Sequence, residues 1–473
     1  MVLVAVAMVA IIAMAALSID VVTLYLAREE AQRAADAGAL AAARVISISG
    51  VTGTAGPDND AVSWSKICGG DTSLASLTAQ AAAQENSVAG ISPTVSVTYS
   101  SGSGSRVADC TAVPGDDLLG VNPLVTVQVT RTSLPTFFSR IWSRAANTVS
   151  ATAAAEVFNP SNSGAFAPGG TIIPVQPRCV KPWVVPNGDP LNPGPNGGFY
   201  CNQAGGPGAC RTLVSTADGS ITHLGISLLG TGTNGVIGET FWLSPDCRQA
   251  NSSSCALHKL TVQPQPNYTG SAGVEPPPNL LYVPGQIGTP VSAIPSCTKS
   301  DSYEQAIEGC DAPTNYQCGV KNNNVVDLTR NPGASGDTTN GVQCLIHQTD
   351  ATNITSSSGQ DYLSDYQAPN SYPFQILEGS GNPLGATLAG NSITSSNSIV
   401  SLPIYDNSVN VTSGTTTPVT FVGFLQVFIN AVDQNGNVNV TVLNVAGCGN
   451  GTNATGSPVT GSSPVPIRLI TPP

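Results

Sequence analysis

Residues 1–44 read MVLVAVAMVAIIAMAALSIDVVTLYLAREEAQRAADAGALAAAR, an uncharged apolar run that passes into an Ala-rich one. Positions 1–19 hold no charged side chain, no Gly and no Pro. At about 1.5 Å of rise per residue, ~20 apolar residues in a helix cross a ~30 Å hydrocarbon core. Apolar character resumes after Asp20 with Val21, Val22, Leu24, Tyr25 and Leu26, and no helix breaker follows until Gly38. Ala favours helix most strongly of all residues, and Glu29 stands four residues before Arg33 in the favourable order. The stretch predicts one helix of about 44 residues, roughly 65 Å long, that starts in a bilayer and continues beyond it.

A cleavable signal peptide has an apolar region of only ~7–15 residues and then a small-residue cleavage site. Here the run is longer and passes straight into helix, so an uncut anchor is expected. Arg28, Arg33 and Arg44 follow the span, and basic flanks normally stay in the cytoplasm. Cysteine placement demands the opposite orientation, so a few further basic residues ahead of Met1 are expected. Asp20 has two readings: a carboxylate solvated at the interface, or a register contact with a partner helix, since acids within membranes are usually functional. Ala27, Ala31, Ala34, Ala35, Gly38 and Ala42 keep one helix face small, which permits close approach of another element. That element is a partner helix or the chain's own domain.

The rest of the chain looks exported. Of 473 residues only 10% are charged, with a net charge of −12. That charge excludes the basic face a nucleic-acid binder needs. Twelve cysteines are present, none in the first 67 residues and none in CxxC spacing, which argues against zinc ribbons and thioredoxin-type motifs. Scattered Cys in loop-rich sequence predicts disulfides formed in an oxidising compartment. Cys247 with Cys255 and Cys310 with Cys318 are candidates for local staples, and Cys68 with Cys110 fits the first globular unit.

The fold class expected is α+β: a long N-terminal transmembrane helix (1–44), a small α+β unit (45–158), then a disulfide-rich, mainly β region. In the second segment the composition predicts a helix over 72–90. Period-two alternation predicts strands at Thr94–Tyr99, Pro123–Thr130 and Thr148–Phe158. After Pro135 a short helix should carry Phe137, Phe138, Ile141 and Trp142 on one core-facing side. Residues 159–179 form a Pro/Gly-rich connection. A Gly/Pro/Cys-rich irregular β region (159–395) follows, with short strands plausible at 213–215, 221–229, 236–243, 257–262 and 393–400. In the C-terminal segment (396–473) strands are predicted at Ser398–Tyr405, Pro418–Val432 and Asn437–Val445. Asn435-Gly436 should join the last two as a two-residue turn, both positions at positive φ. Pro464–Ile470 should add an edge strand, where prolines are tolerated.

No catalytic, cofactor or metal site is expected. Gly230–Gly235 (GTGTNG) fits GxGxxG but lacks the following helix and the acid ~20 residues on, so it reads as a loop. His223, His258 and His347 lie in no HExxH, and GxSxG is absent. Asp433–Asn437 resembles a calcium loop, but its Gly is misplaced and no bidentate Glu follows. Asn-x-Ser/Thr sequons begin at Asn251, Asn267, Asn353, Asn410, Asn439, Asn450 and Asn453, as chance allows in an Asn/Thr-rich chain.

The N-terminal 44 residues resemble the Flp pilus-assembly TadE/TadG-like family of bacterial membrane proteins, most closely its TadG-like N-terminal segment. The resemblance lies in the apolar span closing on Ile19-Asp20, in Tyr25, and in Gln32-Arg33-Ala34-Ala35-Asp36-Ala37-Gly38-Ala39-Leu40-Ala41-Ala42-Ala43. The strand before Pro135-Thr136-Phe137-Phe138, the Ala-alternating strand to Phe158, Lys181-Pro182-Trp183 with Pro186, and Val422-Gly423-Phe424 are similar too. Two features depart: the prepilin-peptidase signature is missing, and so is DxSxS, the nearest string being Asp218-Gly-Ser220-Ile-Thr222. The resemblance implies a non-enzymatic, bitopic protein of the bacterial inner membrane, its C-terminal bulk periplasmic or extracellular, acting in assembly or anchoring of a tight-adherence pilus. The partners implied are the lipid bilayer and pilus-assembly or pseudopilin proteins, with Asp20, Ala31, Ala35, Gly38 and Ala42 as the helix-packing or partner-contact residues. No nucleic acid is expected, and the oligomeric state stays open. The alternative is a membrane-tethered surface adhesin or binding protein with no pilus role.

Overall fold

The computed structural model describes residues 2–49, 61–100, 105–112, 123–134, 147–158, 175–177, 180–190, 212–216, 219, 221–222, 236–245, 279–285, 301–309, 316, 324–327, 336–352, 358–364, 375–383, 389–393, 395–406, 416–447, 459–461, 463 and 465–471. In chain order its principal elements are α1 (Val2–Ile48), α2 (Ala61–Cys68), α3 (Leu74–Glu85), β1 (Thr94–Ser100), β2 (Leu124–Leu134), β3 (Asn147–Val157), β4 (Trp183–Pro186), β5 (Thr240–Pro245), β6 (Asn279–Pro284), α4 (Ser302–Glu308), α5 (Asp337–Ile346), β7 (Ile399–Tyr405), β8 (Phe421–Val432), β9 (Val438–Gly447) and β10 (Ile467–Ile470). Two compact units form. One gathers Met1–Ile46, Ala61–Val157 and Ile467–Pro473; the other gathers Ser47–Asp60 and Phe158–Pro466.

The first unit is built on small side chains. Its antiparallel sheet runs β1-β2-β3-β10. Val125, Val127 and Val129 of β2 face Ala155, Ala153 and Ala151 of β3, and Val127 also faces Val97 of β1. All of these are buried. The alternation that predicts the strands is therefore the inward face of the sheet, as the two-residue period requires. Against it lie the alanines of α1 and α3. A Cβ on Gly38 would stand 3.0 Å from the Ala79 carbonyl oxygen, 3.2 Å from Ala83 Cβ and 3.2 Å from Val127 Cγ1. Helices come this close to a sheet only where both surfaces lack bulk.

Cys68 closes α2 and bonds Cys110, with Cα atoms 5.5 Å apart, so the expected pairing forms. Cys344 is also disulfide-bonded. Cys247, Cys255, Cys310 and Cys318 lie outside the described residues, as do the short helix expected after Pro135, GTGTNG, His223 and His258. Strand β10 is an edge strand, as expected, but it holds no proline. What the sequence did not reveal is its partner: β10 returns to β3, Ile467 opposite Val157, and Arg468 Nε donates to Glu156 Oε2 at 2.6 Å.

The second unit holds a closed six-stranded barrel in the order β7-β8-β9-β5-β6-β4. Strands β5 and β6 run parallel, as do β4 and β7; the other neighbours are antiparallel. Closure leaves no free sheet edge. Every residue of β8 is buried, which explains its nearly unbroken apolar run. Val180, Val184, Val283, Tyr316, Val326, Tyr405, Val419, Phe421 and Phe424 pack into one cluster.

Two expectations need correction here. The run Pro418–Val432 is not one strand: Thr416–Val419 pairs with Asn324–Asp327 in a separate two-stranded sheet, and β8 starts after Thr420. The two sides of Thr420 have different partners, Pro418 facing Val325 and Phe421 facing Tyr405. The β8–β9 hairpin forms, but not through a two-residue turn. Only Gly436 takes positive φ (78°), not Asn435. Asp433 Oδ1 accepts the N–H groups of Asn435 and Asn437 at 2.8 Å each, and Asp433 N–H donates to the Asn437 carbonyl at 2.9 Å. An aspartate-capped turn ending in a left-handed glycine suits a three-residue hairpin loop.

Candidate functional site

Helix α1 has two halves of opposite character. From Leu3 to Leu26 the large apolar side chains point outward: Leu3, Ile12, Leu17, Val22, Tyr25 and Leu26 are all exposed, Tyr25 by 67%. Among the described residues α1 is the one helix long and apolar enough to cross a membrane. The two aliphatic hydroxyls in this half bond back into the helix, Ser18 Oγ to the Ala15 carbonyl at 2.7 Å and Thr23 Oγ1 to the Asp20 carbonyl at 2.8 Å. That leaves neither donor unmet in apolar surroundings. Asp20 is 4% exposed, so it is not the freely solvated carboxylate of the first reading.

From Ala27 onward the burial inverts. Ala27, Ala31, Ala34, Ala35, Ala39, Ala42 and Ala43 are buried, and Gly38 joins them. The spacing of three and four residues puts them on one face, the face that meets α3 and the sheet. Of the predicted contact residues, Ala31, Ala35, Gly38 and Ala42 are buried, and Gly38 meets Ala79, Ala83 and Val127 of its own unit. The outer face carries Gln32, whose Nε2 donates to Asp36 Oδ1 at 2.8 Å, while Glu29 and Arg33 are both exposed. Glu30 reaches elsewhere: its Oε2 accepts the Ala89 N–H at 2.7 Å.

In the second unit, Lys181 is the unusual group. It is buried, and its Nζ donates to the carbonyls of Ile307 and Gly309 at 2.6 and 2.7 Å. These carbonyls end α4, where unsatisfied oxygens favour a cation. Burial pulls the ammonium down to about 7, and the Glu308 carboxylate opposes that pull. The enclosed amine, held by two carbonyls, caps the helix. Its neighbour Trp183 stacks at a tilt on Tyr282, ring centres 6.0 Å apart. Gly423 lies on β8, where a Cβ would come within 2.5 Å of the Ala446 carbonyl oxygen. Lys181-Pro182-Trp183 and Val422-Gly423-Phe424 are thus joined through β7: the Lys181 N–H bonds the Ser401 carbonyl, and Pro403 faces Phe424.

Sequence reasoning missed the Lys181 cap and the Glu30–Ala89 bond. The first had a signal, since the chain has only five lysines and one of them precedes Pro-Trp. The second had none. His347 ends α5 in the left-handed conformation; burial lowers the basicity of its ring, and the Asp361 carboxylate opposes that effect. Among the described residues no set of three His, Cys, Asp or Glu is arranged to hold a metal.

Fold and site define a class: a small-residue α+β unit whose first helix projects an apolar rod, with a β-barrel unit inserted before its last strand. Residues 1–45 match the family model "Putative Flp pilus-assembly TadE/G-like". The match covers both halves of α1 and stops before α2, so the sheet and the barrel unit lie outside it. No curated protein and no solved structure matches the chain.

Proposed function

We propose that this chain is a non-enzymatic, bitopic envelope protein that serves assembly or anchoring of a tight-adherence (Flp/Tad) pilus. The exposed apolar half of α1 holds it in the bacterial inner membrane as a single pass, with both units on the periplasmic or extracellular side. Disulfides at Cys68–Cys110 and at Cys344 support that side, because such bonds persist in oxidising compartments. Gly38 of the small-residue face packs on α3 and β2, and the outward, lipid-level surface of the helix is the one we assign to pilus-assembly or pseudopilin partners. One observation carries this reading: the family match falls on a helix whose first half exposes a bilayer's length of apolar side chains. A clean in-frame deletion tests it. Loss of surface pili, restored by the full chain, is the expected result. Normal pili in the deletion strain would end the pilus reading and leave the tethered adhesin.

A further inference from the structure

The end of the first unit nearest the apolar rod has features that its core does not require. Residues Val88–Ile91 form a tight turn, closed by Val88 N–H to the Ile91 carbonyl at 2.9 Å and Ile91 N–H to the Val88 carbonyl at 3.2 Å. Its central pair, Ala89 and Gly90, both take positive φ, 49° and 75°. Glycine does so freely, but an alanine there is strained and needs its surroundings to hold it. Glu30 does the holding, by accepting the Ala89 N–H.

Glu30 lies only four residues beyond Leu26, the last exposed large apolar residue of the rod, or about 6 Å along the axis. Helix α3 descends toward that level: Gly38 of α1 meets Ala79 and Ala83, while Ala89, further along, meets Glu30. The same end of the sheet carries Thr94, opposite Thr130, and then Arg131 and Ser133. Ser133 is another of the three described non-glycine residues with positive φ. Arg131 donates to the Thr132 carbonyl, and its Nε is buried. Between Asn86 and Thr98 no residue is charged, and Ile91 is 53% exposed.

We infer that the Val88–Ile91 turn, positioned by Glu30, is a foot that seats the first unit in the lipid headgroup layer, with Ile91 entering the interface. The headgroup and interfacial layers add about 5–7 Å on each side of the hydrocarbon core, which matches the step from Leu26 to Glu30. This inference rests on α1 crossing a bilayer, as proposed above.

The test places one environment-sensitive fluorescent amino acid at position 17, 77 or 91 of the full chain in lipid nanodiscs. Leu17, Leu77 and Ile91 are about equally exposed, at 53, 50 and 53%, so lipid proximity rather than exposure separates them. Spin labels on the acyl chain should quench site 17. Labels on the headgroup should quench site 91 at least threefold more than site 77. Correct Cys68–Cys110 pairing, checked by mass spectrometry, confirms that each variant folds, and Ser92 replaces position 91 if that variant does not. Site 91 behaving like site 77 while site 17 is quenched overturns the foot and leaves the anchor. An unquenched site 17 overturns the anchor and the foot with it. A site 91 quenched by neither label, yet shielded from aqueous iodide, points to a second copy and overturns the lipid assignment. With Glu30→Ala, headgroup quenching at 91 should fall at least twofold; no change overturns Glu30 as the positioning residue.

Discussion

The two halves of α1 are one continuous helix, yet the first exposes its side chains and the second hides them. Val, Leu, Ile and Met dominate the exposed half, Ala and Gly the hidden one. Hydrophobicity alone would predict the reverse, since the bulkier side chains have more to gain from burial. Size decides instead. A protein layer packs closely on a helix that offers no bulk, whereas a bilayer accepts bulk without a matching surface. The helix is therefore sorted along its length by volume, and single substitutions should reveal which rule holds at each position.

The largest effect is expected at Gly38. Leucine there would drive its side chain into Ala79, Ala83 and Val127, which already crowd a bare Cβ. Gly38→Leu should destabilise the first unit by roughly 3 kcal/mol or abolish folding, seen as a lost melting transition in detergent. Ile12→Leu, in the exposed half, should leave that melting point unchanged. Equal effects at the two sites would erase the distinction between the halves.

The converse substitution introduces charge. Ile12→Lys should cost roughly 3 kcal/mol of insertion near the middle of a span, and so release the chain from membranes at alkaline-carbonate extraction. The melting behaviour of the soluble fraction should stay that of the parent, because position 12 is exposed. Retention in the pellet would count against a spanning first half.

Lys181 extends the comparison to a charge buried inside protein. Its folded-state value of about 7 lies below the ~10.4 of an unfolded lysine. Between those values the unfolded chain binds a proton that the folded chain does not, so stability rises with pH across that window, by at most about 1.4 kcal/mol per pH unit. Below pH 7 both states are charged and the gain is absent. Denaturant midpoints of the barrel unit should therefore climb from pH 7.5 to 9.5, and Lys181→Met should flatten the climb. Tyr282, buried and pushed upward, works against stability only above ~10, the ordinary value for tyrosine. A slope unchanged in Lys181→Met would remove the lysine as its source.

Much of the first unit was legible because its signals are local. Helix α1, helix α3 and strands β1 to β3 follow from period and propensity, and Cys68–Cys110 from the scarcity of other cysteines nearby. The return of β10 to β3 was not legible: nothing in Ile467–Ile470 names its partner. The barrel was partly legible, since β7, β8 and β9 lie consecutively, but β4, β5 and β6 are short segments set between Gly- and Pro-rich stretches. Nor could the sequence show that Thr420 divides two sheets. Of the candidate site, the small-residue stripe was visible, but what it faces was not, because spacing fixes a helix face and leaves its neighbour open.

The smallest effect tests the turn that abuts the border between the halves. Ala89 sits at φ 49°, where an L-residue costs roughly 1–2 kcal/mol relative to glycine. Ala89→Gly removes that strain but also loosens the unfolded chain, which costs about 0.4–1 kcal/mol. The balance should raise the stability of the first unit by about 0.5 kcal/mol, against the usual trend for Ala→Gly. Glu30→Ala should move it the other way by about 1 kcal/mol through the lost hydrogen bond. In the double variant the Glu30 effect should shrink, because a relaxed glycine needs no holding. Strictly additive effects in that double-mutant cycle would mean that Glu30 and Ala89 touch without acting on one another, and the border would then rest on the alanine stripe alone.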